Sequence, residues 1–383
     1  MNSNELPLPP LEGEERLAYL SLALVPGIGP GRLRALLSAC GSAGGARAAP
    51  FAFLRTIPDV GPALATAIQR VRLATAEQVL DDLQRLGGEL LLPGDPRFPQ
   101  SLSPVTPPPL ALFAAGKLDF LARPAVAIVG SRDHSRYGAE VCEALAGGAA
   151  AAGLVVVSGM ARGLDAVAHR AALAVDGGTI GVLGNGLGVV YPAANRQLYG
   201  SVEQHGLLLS ELPPGERPHA GAFPKRNRLI AGLARVTVVI EAAVGSGALI
   251  TANEALDLGR DVMAVPGPVT SPTSVGANQL LRDGAIAVLE LDDLLLRYPE
   301  IRPGVGVTGL PLPDPSSPQG KVLALLNSGP RQADELAATL RLPTGQVLAV
   351  LGVMEIQGMV SQRPGMVFGL AKAKFAAART IDD

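Results

Sequence analysis

The sequence predicts an α/β protein centred on a doubly wound, mostly parallel sheet, with a small helical unit before it and a second helical unit, closed by a hairpin, after it. Three observations predict this. Seven short apolar runs alternate with helix-like segments through the middle of the chain. Two proline-rich stretches bracket that middle: 93–109 carries seven prolines, and about 302–320 reads RPGVGVTGLPLPDPSSPQG. Proline locks φ and offers no N–H to a ladder, so each stretch reads as a connector. Beyond the second, the pattern runs helix, helix, helix, hairpin. The expected units are 15–88, 110–298, a linker at 299–319, and 320–371.

Composition narrows the function classes. Apolar residues make up 48% of the 383, enough for a large core, and no uninterrupted apolar run reaches the length of a membrane span. Residues 1–15 are polar and acidic, without the basic start and apolar centre of a signal peptide, so the expected location is cytoplasmic. Cys40 and Cys142 lie far apart and outside any metal-ligand spacing; they read as small buried apolar residues, and no metal site is expected. The net charge is −2, so any nucleic-acid surface must be a local patch. With no Trp and 3% aromatics, extensive base stacking on aromatic platforms is not expected.

In the first unit, Val25-Pro-Gly-Ile-Gly-Pro-Gly31 and Ile57-Pro-Asp-Val-Gly-Pro62 each open a helix. The pair resembles the helix-hairpin-helix motif, in which glycine turns aim backbone N–H groups at a phosphate; Arg32 and Arg34 stand ready to assist. The bland reading is a small helical bundle with tight turns, and it is favoured.

The middle unit carries its runs at 125–129, 154–157, 179–183, 207–210, 236–240, 261–265 and 285–289. Runs this uniformly apolar are strands buried on both faces, as in a Rossmann-like sheet covered by helices, which binds ligands outside the carboxyl ends of its strands. In the third unit, helices at 321–326 and 333–340 precede a helix over 345–357 capped by Thr344; strands at 359–362 and 367–370 flank a Pro364-Gly365 turn. This is the outline of a winged helix. Its third helix, TGQVLAVLGVMEIQ, has no Lys or Arg and one Glu, which favours a structural or protein-contact role over DNA binding.

The strand ends carry the chemistry. Gly130-Ser131-Arg132 follows the first run, and Ser158-Gly159-Met-Ala-Arg162-Gly163-Leu-Asp165 the second. Gly184-Asn185-Gly186-Leu-Gly188 and Tyr191-Pro192 follow the third; Glu241 and Gly245-Ser246-Gly247, opening a helix with Thr251, follow the fifth. Glycine turns at helix N-termini form an anion-binding rim, and a guanidinium grips a phosphate. Before the fifth run lies Phe223-Pro224-Lys225-Arg226-Asn227-Arg228; 219–240 holds four Lys or Arg and no acid. Cations beside one aromatic ring suit a nucleic-acid strand, where the bland alternative is a solvated loop.

Other chemistries fit poorly. Gly184-x-Gly-x-Gly188 lacks the dinucleotide spacing, so no nicotinamide cofactor is expected. Ser158, Asp165 and His169 are the residue types of a hydrolytic triad, but Ser158 is not in a G-x-S-x-G elbow. Asp165 and His169, four apart on one helix, read as a pair fixing the following loop. No catalytic residue is assigned.

Together these clusters resemble the DNA-processing protein A family, strongly over about 90–290. The motifs that carry it are Gly130-Ser131-Arg132, Ser158 to His169, Phe223 to Leu233, Glu241 to Ala255, Val265-Pro266-Gly267 and Ser274-x-Gly276-x-Asn278. One departure is Gly188, where the family usually carries Asp. The resemblance implies a non-enzymatic protein that binds and protects single-stranded DNA in natural transformation, loads the RecA recombinase on it and promotes annealing. It also implies a homodimer through the Rossmann-like domain, a single-strand-binding protein as a further partner, and no cofactor. By motif match, the DNA-binding residues are Ser131, Arg132, Gly159, Arg162, Phe223, Lys225, Arg226, Asn227, Arg228, Ser246, Gly247 and Thr251. The alternative is a nucleotide-processing enzyme of the lysine-decarboxylase-like group, a phosphoribohydrolase, with Gly245-Ser-Gly247, Thr251 and Glu254 as its loop; that group's Pro-Gly-Gly-x-Gly-Thr is absent here.

Overall fold

The computed structural model describes residues 11–301, 313–326, 329–356 and 359–370. Six helices come first: α1 Gly13–Ala23, α2 Pro30–Cys40, α3 Ala43–Ala48, α4 Phe51–Leu54, α5 Pro62–Gln69 and α6 Leu73–Arg85. Local chemistry sets their ends. Pro30 and Pro62 stand at the first helical position, where a missing N–H costs nothing. Gly41 ends α2 at φ +78°, a left-handed conformation glycine adopts without steric cost. Ser42 caps α3 by accepting the Gly45 N–H.

The sheet has nine strands: β1 Glu89–Leu91, β2 Leu112–Gly116, β3 Ala125–Val129, β4 Val155–Ser158, β5 Thr179–Val182, β6 Leu207–Ser210, β7 Val236–Val239, β8 Asp261–Ala264 and β9 Ile286–Ala287. Their order is β1-β2-β6-β5-β4-β3-β7-β8-β9. From β6 to β9 every neighbour is parallel, while β2 runs antiparallel to both β1 and β6. All seven expected runs are strands, and β1 and β2 are additions to them.

Seven helices serve the sheet: α7 Arg136–Ala151, α8 Leu164–Ala174, α9 Arg196–His205, α10 Ala222–Leu233, α11 Gly247–Asp257, α12 Val275–Arg282 and α13 Leu291–Leu295. Strand side chains alternate between its faces. Val126 and Ile128 of β3 pack with α7, α8 and α13, whereas Ala127 and Val129 pack with α10, α11 and α12. The proline-rich stretch at 93–109 is not a free connector. Its prolines keep it out of the sheet, but Leu102 and Val105 bury in the same core as Leu229 and Leu233 of α10. Gly232 permits the contact, since a Cβ there would lie 2.5 Å from Val105 Cγ2.

The first six helices share one core with Leu90, Phe113, Leu183, Leu187 and Tyr199, so this unit sits against the sheet domain. The third unit forms α14 Pro318–Leu326, β10 Arg331–Gln332, α15 Ala333–Leu340, α16 Thr344–Ile356, β11 Val360–Arg363 and β12 Val367–Leu370, a winged helix with β12 between β10 and β11. Helix α16 begins at Thr344 itself, and the expected helical residue Gln357 lies outside the described residues.

Candidate nucleic-acid interface

The parallel order reverses at β3, which pairs with β4 on one side and β7 on the other. The chain leaves β3 for one face of the sheet and β7 for the opposite one, so a crevice opens between their carboxyl ends. A cleft of about 750 Å³ occupies this place.

Glu241, at the end of β7, holds the crevice together. Its backbone oxygen accepts the Ser131 N–H at 2.8 Å. Its carboxylate accepts the Ser135 N–H at 2.9 Å, the Ser135 hydroxyl at 2.5 Å and the Thr273 hydroxyl at 3.1 Å. Gly138 leaves room for it, because a Cβ there would collide with the carboxylate. A buried carboxylate satisfied by three donors fixes both rim loops in register.

Each expected site residue has a definite place. Ser131, Arg132, Phe223, Arg226, Asn227, Ser246, Gly247 and Thr251 all line the cleft. Arg132 is exposed and makes no ion pair among the described residues. The Ser131 hydroxyl turns back to its own loop and donates to Asp133 O at 2.9 Å. Ser246 caps α11, accepting the Ala248 N–H at 3.3 Å, and Asn227 Nδ2 donates to Gly247 O at 3.3 Å.

The segment 223–228 lies in α10 rather than in a loop. Proline is tolerated in a first helical turn, and Pro224 falls there. The helix buries much of the charge that the sequence displays. Arg226 is 6% exposed; its Nη1 donates to Gly159 O and Val182 O, and its Nε to Asn227 Oδ1 at 3.2 Å. Its Nη2 makes no hydrogen bond among the described residues. Burial pushes this guanidinium below its ordinary value, and the Asp165 carboxylate works against that shift.

Four expected residues lie outside the cleft wall. Gly159 is buried, and its N–H goes to Asp165 Oδ2 at 3.2 Å, so it is not an open amide donor. A side chain at Gly159 would collide with the Arg226 guanidinium. Arg162 is exposed and faces Asp133 at 3.5 Å. Lys225 is exposed, next along the chain from Pro224 and Arg226 of the wall. Arg228 is buried and paired with Glu211 at 2.7 Å. Burial raises the Glu211 carboxyl, and Arg228 pulls it back down. Arg235, the fourth cation of the sequence patch, stands at the amino end of β7, stacked over Tyr298 and paired with Glu300.

Asp165 and His169 share α8 but do not pair. Asp165 accepts the Gly159 and Ala161 N–H groups and fixes the preceding loop, at the floor of the cleft. Burial raises its carboxyl, opposed first by Arg226. His169 turns into the sheet instead. Its Nδ1 lies 2.7 Å from Thr179 Oγ1, whose hydroxyl donates to Val156 O at 2.8 Å. The Thr179 proton is thereby committed, so Nδ1 is the donor, and burial, which pulls the ring down to about 3, keeps it neutral. Ser158 donates to Ile128 O at 2.7 Å, within the sheet. No nucleophile is poised among these three.

The structure adds Tyr191, whose only sequence signal was its place beside a strand-end glycine cluster. Its ring lies 5.4 Å from that of Phe223, tilted by 35°, and both line the cleft. Gly184 makes space for Phe223, since a Cβ there would lie 2.7 Å from the ring. The cleft is therefore lined by a helix N-terminus, an exposed arginine, a buried one and a pair of aromatic rings.

Comparison with known proteins decides the family. The family model described as DNA recombination-mediator protein A matches residues 89–299. The chain belongs to that family. A second model, the DprA winged helix domain, matches 308–366. Protein Smf of Escherichia coli is 39% identical over 295 residues, 74% of this chain and 78% of that one. The X-ray structure of DNA processing protein A from Streptococcus pneumoniae superposes with TM-score 0.65 at 34% identity, over 74% of this chain and 98% of that one. DNA processing protein A from Helicobacter pylori, whose structure is described in terms of its single-stranded-DNA binding mode, gives TM-score 0.51 at 29% identity, over 55% of this chain and 94% of that one.

Proposed function

We propose that this chain binds single-stranded DNA in the β3–β7 cleft, protects it, and loads the RecA recombinase on it in natural transformation and recombination. The observation that carries the reading is that the exposed Arg132 and the α11 N-terminus converge on one cleft with Phe223 and Tyr191. Phosphates take the donors, and unpaired bases take the rings. Duplex bases are already stacked and cannot use the ring wall. The family relationship supports the same reading.

On this reading the protein is a non-enzymatic cytoplasmic homodimer, joined through the sheet domain, that needs no cofactor. Asp165 is the one carboxylate lining the cleft among the described residues, and two backbone amides already hold it. Glu254, which a phosphoribohydrolase would use, lies outside the cleft lining. Among the described residues no single helix is long and apolar enough to cross a membrane. Fluorescence anisotropy with matched single- and double-stranded oligonucleotides tests the proposal. Tight, salt-sensitive binding of the single strand and weak duplex binding are expected. Equal affinity for both, or base release from nucleoside monophosphates, contradicts it.

A further inference from the structure

The cleft is poor in free cations: Arg226 and Arg228 are buried and engaged, leaving Arg132 and the neighbouring Lys225. A polyanion that continues beyond it needs a second basic surface. Residues 47–72 carry four arginines and one acid, Asp59, in a chain of net charge −2. Their packing gathers them. Gln69 Nε2 donates to Ala49 O at 3.5 Å and Arg47 Nη2 to Val71 O at 3.4 Å, which ties the end of α5 to the start of α4. Residues 69–71 therefore lie beside the segment that leads into α4, bringing Arg70 and Arg72 to that end, and Arg55 follows its other end, one four-residue helix away. Arg55, Arg70 and Arg72 are exposed and form no ion pair or side-chain hydrogen bond among the described residues. By contrast Arg32, in the first glycine turn, is spent on Gly27 O at 2.7 Å. Helix α4 also exposes two rings, Phe51 at 39% and Phe53 at 43%.

Unpaired guanidinium groups around exposed aromatic rings fit one occupant, an unpaired polynucleotide strand. The helical unit that carries this surface adjoins the sheet domain: it shares a core with Leu183 and Leu187, and Leu86 at the end of α6 packs on Gly188, three residues before Tyr191 of the cleft wall. We propose that the Phe51–Phe53, Arg55, Arg70 and Arg72 surface is a second contact for single-stranded DNA, engaged by the strand where it leaves the cleft on the Tyr191 side. This rests on the cleft reading for its geometry, and the test separates the two.

Anisotropy titrations compare labelled oligothymidylates of about 6 and about 25 nucleotides, the shorter one filling only the cleft. For Arg70→Ala with Arg72→Ala, the long strand binds about tenfold more weakly and its log–log salt slope falls by about 1.4, while the short strand is unaffected. Phe51→Ala with Phe53→Ala weakens the long strand and leaves its salt slope unchanged. Melting curves by circular dichroism confirm that both variants stay folded, as side chains this exposed should allow. Wild-type affinity at both lengths overturns the proposal and hands the surface to a protein contact. Equal loss at both lengths also overturns it. If Arg132→Ala binds normally at both lengths while the arginine variant loses the long strand, the cleft reading falls and this contact stands.

Discussion

At the scale of single residues, the same side-chain type serves two purposes within α10. Lys225 is exposed, whereas Arg226 and Arg228 are buried among carbonyls and Glu211. The sequence shows Lys225, Arg226 and Arg228 together but not which of them the helix turns inward, because that depends on the face it packs against the sheet. Removing Arg226 would strand two buried carbonyls, so its loss mixes folding with DNA contact. His169 gives a cleaner prediction. Burial pulls its ring from near 6.5 down to about 3, so the folded protein keeps it neutral where the unfolded chain protonates it. Its contribution is complete above about pH 6.5 and is lost as the pH falls toward 3, with a slope approaching ~1.4 kcal/mol per pH unit. Asp165, raised by burial, acts in the opposite sense, its contribution fading as the pH rises through its folded value. Urea unfolding of wild type and His169→Asn between pH 7 and pH 5 should show the variant losing less stability on acidification. Identical slopes contradict the neutral, buried assignment.

At the scale of elements, the apolar runs made the parallel strands legible to within a residue or two, because strands buried on both faces leave an unbroken apolar signature. Two strands escaped. Glu89–Leu91 is only three residues long, and three of the five residues of Leu112–Gly116 are alanine or glycine. Both owe their conformation to pairing across the sheet rather than to local preference. The cleft glycines were legible by their place at strand ends, but what demands glycine at two of them is close packing, Gly159 against Arg226 and Gly184 against Phe223. At the α11 N-terminus, Ser246→Ala should cost about 1 kcal/mol by leaving the Ala248 N–H without its cap. If a DNA phosphate occupies this end, saturating single strand satisfies the orphaned amide and narrows the difference in Tm between variant and wild type. A difference that DNA leaves unchanged means no phosphate binds there. In the third unit, α16 has no cation and leaves Val353 and Ile356 exposed, which fits a protein-contact surface better than a groove reader.

At the scale of the whole molecule, a nearly neutral chain gathers Arg132, the α11 N-terminus and two aromatic rings at the point where the strand order reverses. Glu241 ties the two rims, α10 lines the cleft through Phe223, Arg226 and Asn227, and the helical unit packs against the sheet domain at Leu183 and Leu187. The doubly wound topology was readable from the order of runs and helices, and it placed the crevice before any side chain was located. What it did not reveal was how little of the cationic patch faces outward. The central claim is that the crevice holds phosphates through Arg132. The most direct test is the salt dependence of single-strand affinity for wild type and Arg132→Ala. The slope of log K against log salt should fall by about 0.7 with the loss of one phosphate contact, without a change in base preference. A variant that binds with wild-type affinity and an unchanged slope would place the strand somewhere other than this cleft.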